Sequence, residues 1–211
     1  MTLLAAWTKE WERTDSLARD ICSLFRLHGC TETARHSVLV AQEAERLAIR
    51  FGVDRQAAVT AGLLHDSSAI FPNSQRIEVA RLAGVDVLPE EEQFPMIVHQ
   101  KLSVVIAREL FAVSDADILS AIGCHTTLKA GAKPLDLVLF VADKIKWDQP
   151  VTPPYLQPLL AALDESLECA ALVYLAYLWE RRDKLRVVHP WLRDAYLELS
   201  ERAAKPKMPP D

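Results

Sequence analysis

Apolar residues recur at helical spacing along nearly every segment of this 211-residue chain, and no stretch sustains the alternation of a half-buried strand. That periodicity confines the fold to packed helices, an all-α class. It predicts helices over 14–27, 32–50, 54–66, 74–83, 98–111, 115–124, 134–147, 156–186 and 190–203. Gly52 and Gly84 fall just past helical runs, where a C-cap glycine belongs. Ser114 with Asp117 reads as an N-terminal capping signal ahead of "ILSAIGCH".

One composition shift divides the chain. "QPVTPPYLQP", residues 149–158, holds four prolines and is expected to be an extended connector. Residues 1–148 form a helical core that includes an N-terminal helix, residues 159–203 form C-terminal helices, and 204–211 form a disordered tail. The helix expected over 156–186 is apolar on more than one side. It is therefore buried twice, either under its own domain or against a second subunit, so a homodimer stays open.

The net charge of −5 and pI near 5.7 exclude a nucleic-acid binder that works by phosphate neutralisation. The longest apolar run, "CAALVYLAYLW" (169–179), is too short to span a bilayer, and the start "MTLLAAWTKEWER" lacks a signal-peptide pattern. Cys22, Cys30, Cys124 and Cys169 form no C-x-x-C pair and read as reduced thiols. The expected location is the cytoplasm.

"AGLLHD", residues 61–66, closes an apolar helical run on His65 and Asp66. A buried carboxylate without a partner costs several kcal/mol, so Asp66 requires a cation. His36 shares a helical face with Val40, Ala44 and Leu47, and Asp143 shares one with Leu135, Leu139 and Ala142. Imidazole and carboxylate from distant segments thus both point to a core, the donor set of a divalent metal of intermediate hardness. Taken singly, each has an ordinary explanation. The histidine bonds a backbone carbonyl, and Asp143 pairs with Lys144 or Lys146.

Together, His36, His65-Asp66 and Asp143 follow the order "H…HD…D" and resemble the HD superfamily of metal-dependent phosphohydrolases. "HSVLVAQEA" (36–44), "AGLLHD", "VHQKLSVVIARELF" (98–111), "DILSAIGCHTT" (117–127) and "LVLFVADKI" (137–145) are similar to successive blocks of its YqeK family. That family comprises symmetrical bis(5'-nucleosyl)-tetraphosphatases. The resemblance implies an HD-domain helical bundle holding two divalent ions, iron first and Mn, Mg, Co or Zn next. It assigns His36, His65, Asp66 and Asp143 to one ion, with Asp66 bridging to a second ion held by His99 and His125. It makes His65 and Asp66 the catalytic centre. It further implies a nucleotide substrate, diadenosine tetraphosphate cut to two ADP by hydroxide generated at the ions. Thr126 and Thr127 offer hydroxyls to a phosphate, and Lys101 and Lys129 offer charge.

Two positions depart from the family's pattern. Ala69 stands where H-D-x-x-K places a lysine, and Lys146 stands where an acidic residue is usual. Neither touches an implied ligand, but both bear on substrate. The alternatives are an HD hydrolase of a guanosine nucleotide or a mononucleotide, and a silent protein that binds metal and nucleotide.

Overall fold

The computed structural model describes residues 3–147 and 151–205. Among these residues every regular element is helical. A 3-10 turn at Leu3–Ala6 precedes α1 (Leu17–Leu27), α2 (Thr31–Phe51) and α3 (Arg55–Leu64). Then come 3-10 turns at Ser67–Ile70 and Asn73–Gln75, α4 (Arg76–Leu82), α5 (Pro89–Gln93), α6 (His99–Glu109), α7 (Ala116–Cys124) and α8 (Pro134–Ile145). The chain closes with α9 (Leu156–Ala162), α10 (Leu167–Trp179), a 3-10 turn at Arg182–Lys184, and α11 (Pro190–Ala204).

Helices α2, α3, α7 and α8 pack around one another and hold the core. Helix α8 lies at its centre: each residue from Leu135 to Ala142 is buried. Its start is set by Pro134 in the first turn and by Asp136, whose Oδ2 accepts from the Lys133 amide at 2.9 Å. Helix α2 stops at Gly52, whose φ of 68° is left-handed as a C-cap requires. Gly62 permits a close approach of two helices. A Cβ built there would lie 2.5 Å from the Cα of Ala41, so α2 and α3 touch backbone to backbone.

Several boundaries move from their expected places. The cap of α7 is Asp115 rather than Ser114; its Oδ1 accepts from the amides of Asp117 (2.8 Å) and Ile118 (3.1 Å). The single helix expected over 156–186 is two, separated at 163–166. Ser166 is extended there and accepts the Cys169 amide at 3.1 Å, while Arg50 holds the Leu163 carbonyl at 2.7 Å. Residues 148–150 lie outside the described residues, the first two positions of the expected connector among them, and the connector's end is already helical from Leu156. Pro158 is tolerated in α9 because first-turn amides have no helical acceptor to lose. Of the tail expected over 204–211, Ala204 is still helical and completes α11, and residues 206–211 lie outside the described residues.

The two-sided apolar helix is covered within the chain. Tyr174 of α10 packs edge-on to Phe140 of α8 at 5.6 Å, and Trp179 stacks on Tyr196 of α11 at 4.9 Å. Among the described residues no helix is long and apolar enough to cross a membrane.

Candidate metal centre

Three helix ends converge on one point. His65 and Asp66 follow α3, His99 opens α6, and His125 follows α7. His36, from the first turns of α2, and Asp143, from α8, complete the group. Three of the histidines are oriented alike. The Nδ1–H of His65 faces the Gly62 carbonyl at 2.8 Å, that of His99 the Met96 carbonyl at 2.6 Å, and that of His125 the Ile122 carbonyl at 2.8 Å. Each bond runs to the carbonyl three residues back, fixes the ring, and leaves Nε2 as a lone-pair donor aimed at the centre.

The Nε2 atoms face carboxylates and one another. Asp66 Oδ1 lies 3.2 Å from His99 Nε2 and 3.5 Å from His125 Nε2, while Oδ2 lies 3.4 Å from His65 Nε2. Asp143 Oδ1 lies 3.1 Å from His36 Nε2 and 3.6 Å from His65 Nε2. Two overlapping groups result, each with ligand atoms within 4.8 Å of one another: His36, His65 and Asp66, and Asp66, His99 and His125. Asp66 belongs to both.

The residues fit a divalent metal on three counts. The Nε2 of His65 is buried without a hydrogen-bond partner among the described residues, a position costly for a polar atom unless something occupies its lone pair. The Nε2 atoms of His99 and His125 stand 2.9 Å apart although the Nδ1 of each is committed to a carbonyl, so two acceptors face each other. Finally, two carboxylates and four imidazoles form the mixed N/O set that first-row divalent ions take.

The electrostatics carry the same demand. Burial pushes the Asp66 carboxyl up, but His65, His125 and His99 hold it well below the usual range. Asp143 is likewise held well below it, by Lys144, His36 and His65 against burial. Burial lowers the His65 imidazole, yet Asp66 and Asp143 overcome this and push it up to about 10. In the bare polypeptide His65 supplies the positive charge that Asp66 requires. Burial pushes His125 down to about 4, helped by His99 and His65 and opposed by Asp66.

A cavity of about 460 Å³ opens onto this group and is lined by His36, Asp66, His99, His125, Thr126 and Asp143. His65 lies behind them, fully buried. Thr126 Oγ1 sits 3.2 Å from the Nε2 atoms of both His99 and His125. The other expected phosphate contacts are placed elsewhere. Thr127 is buried against Gln100. Lys101 pairs with Glu91 at 2.8 Å and lies over the Trp191 ring, and Lys129 bonds Ser120 at 2.6 Å with Asp136 at 3.7 Å.

The cavity wall also contains Arg76, Lys144, Trp147 and Tyr174, which sequence reasoning left out of the site. Lys144 pairs with Asp143 Oδ2 at 2.5 Å and donates to the His125 carbonyl at 3.0 Å, so it fixes a candidate ligand from behind. The pairing of Asp143 with a neighbouring lysine is thus real and concerns one oxygen only. Lys146 pairs instead with Glu43 at 3.1 Å.

Residues 33–148 match the HD domain family. A protein of Lactococcus lactis subsp. cremoris, "Uncharacterized protein in pepC 5'region", is 47% identical over 71% of this chain and 76% of its own length. The symmetrical bis(5'-nucleosyl)-tetraphosphatase of Bacillus subtilis is 31% identical over 53% of this chain and 59% of its own length, so the match spans less than two thirds of that relative. The crystal structure of a predicted HD superfamily hydrolase involved in NAD metabolism from Clostridium acetobutylicum superposes with a TM-score of 0.79 at 25% identity, covering 87% of this chain and 97% of that one. With its His/Asp cluster gathered from five helices and the HD domain matched over more than half its length, the chain belongs to the HD-domain family of metal-dependent phosphohydrolases.

Proposed function

We propose that the chain holds two divalent ions and hydrolyses a dinucleoside polyphosphate, with diadenosine tetraphosphate cut symmetrically to two ADP. The observation that carries this reading is the sharing of Asp66 between two ligand groups. One carboxylate between two clusters is how a protein holds a pair of ions close together. His36, His65, Asp66 and Asp143 would hold one ion, and Asp66, His99 and His125 the other. Four imidazoles in the set favour iron, manganese, cobalt or zinc over magnesium, and iron is the ion we assign. The name of the Bacillus subtilis relative supports the substrate.

When bound, the ions would supply Lewis acidity and an activated water at neutral pH. The chain's own groups do the positioning. The three carbonyl clamps on Nδ1 hold the imidazoles in one orientation before substrate arrives, so little reorganisation is needed during reaction. Lys144 neutralises the outer oxygen of Asp143 and fixes the inner one. The Thr126 hydroxyl stands at the cavity wall within reach of a phosphate oxygen. A nucleoside diphosphate leaves as a stable anion, so the site requires no general acid, and none of the six residues is assigned that role. Free thiols at Cys22, Cys30, Cys124 and Cys169 support a reducing compartment, the cytoplasm.

The test joins metal analysis of the purified protein to a nucleotide panel of dinucleoside tetraphosphates, guanosine 3'-pyrophosphates and mononucleotides. Two ions per chain and ADP as the sole product from diadenosine tetraphosphate are expected. ATP plus AMP as products, or turnover confined to another class, would overturn the substrate assignment.

A further inference from the structure

Among the described cations lining the cavity, Lys144 is fully committed: Asp143, the His125 carbonyl and the rings of Phe140 and Tyr174 surround its ammonium. Arg76 is different. It is half-buried at the start of α4, and no carboxylate among the described residues lies within ion-pair distance of it. Its protein partners are two backbone carbonyls at long range, Phe71 at 3.3 Å from Nε and Met96 at 3.5 Å from one terminal nitrogen. A guanidinium carries five N–H donors, so most of them are unused. The site is near enough that the Asp66 charge acts on Arg76. Desolvating a guanidinium for two long carbonyl contacts is a poor exchange unless an anion completes the set. Ala69 lines the same cavity and offers only a methyl group.

We infer that Arg76 binds the phosphate chain of the substrate, as the charged clamp beside the metal centre. The inference rests on the phosphohydrolase reading and names a residue within it. Its planar fork suits two oxygens of one phosphate, which a lysine ammonium cannot engage in the same way. Sequence position hid it, since the residue is ten positions past Asp66 and outside the quoted motifs.

The probe is inorganic pyrophosphate, titrated by calorimetry into the metal-loaded full chain, wild type against Arg76→Met and Arg76→Lys. Removing a charge-assisted contact weakens binding roughly 10- to 100-fold in Arg76→Met, with metal content and melting temperature unchanged. Arg76→Lys retains part of the affinity. Adding Ala69→Lys to Arg76→Met restores part of it, because charge returns to the same cavity. With a turned-over nucleotide, KM rises in Arg76→Met far more than kcat falls. Binding within twofold of wild type would overturn the inference. So would loss of metal or of melting temperature in Arg76→Met, since that assigns Arg76 to bracing the 71–76 turn. If no nucleotide is hydrolysed, the proposed function fails, while the pyrophosphate titration still reads Arg76 separately.

Discussion

Gly62 is where a single methyl group sets two physical effects against each other. Helix propensity favours alanine over glycine by about 1 kcal/mol in a helix interior, so Gly62→Ala would stabilise α3 if that helix stood alone. In the bundle the new Cβ meets Ala41 at 2.5 Å from Cα, 2.9 Å from N and 3.1 Å from Cβ. Two of these atoms are backbone and cannot rotate away, so α2 and α3 must separate. Overpacking typically costs about 1–3 kcal/mol, and a backbone clash belongs at the upper end. Subtracting the propensity gain leaves about 2 kcal/mol of net destabilisation, a fall of about 4–8 °C in Tm for a chain of this size. The separation also carries a functional signature. His36 lies on α2 and His65 follows α3, so the first ligand group opens while His99 and His125 keep their places. Thermal unfolding of the metal-free protein reads the first effect. Metal titration reads the second, with one of two binding steps weakened about tenfold or more. An unchanged or raised Tm would refute the close-approach reasoning, because propensity would then have won.

Other perturbations have equally definite signs. Glu91 is buried with His189 and Lys101 as partners, and Glu91→Ala strands both for a cost of about 3–5 kcal/mol at neutral pH. Burial raises the Glu91 carboxyl, but His189, the Leu88 amide and Lys101 together hold it below its ordinary 4.5. Stability from a depressed carboxyl is complete above the unfolded value and lost as pH falls through the folded one. The gap between wild type and Glu91→Ala in denaturant titrations therefore narrows below about pH 4.5; a gap that widens there would refute the pairing. Ser166→Ala removes the cap of α10 and lowers stability by about 1 kcal/mol in urea unfolding; no loss would mean that the break at 163–166 is held by Arg50 alone.

Much of this architecture was legible in the sequence because it depends on local order. Helical periodicity located the long helices, and Gly52 and Gly84 marked stops that the left-handed φ values of 68° and 69° bear out. The convergence of His36, His65, Asp66, His99, His125 and Asp143 was visible through family likeness, since the motif order is preserved along the chain. Three things escaped for physical reasons. The break in the C-terminal helix lay under an uninterrupted apolar pattern, and only the cap at Ser166 gives it away. Lys101, expected to offer charge to a phosphate, pairs with Glu91 instead; it follows His99 by two residues, and positions two apart on a helix point to different sides. Its partner Glu91 and the more distant His189 are joined to it only by the fold. Arg76 had a faint local signal. Its helical neighbours Val79 and Ala80 offer no carboxylate, so nothing in its own helix neutralises it.

If one carboxylate at the end of α3 serves two ions, metal stoichiometry shows it. Elemental analysis of the iron-reconstituted wild type, Asp66→Ala and His125→Ala should give two ions, none, and one per chain, in that order. Full occupancy in Asp66→Ala, or a single ion in the wild type, would rule out the shared carboxylate.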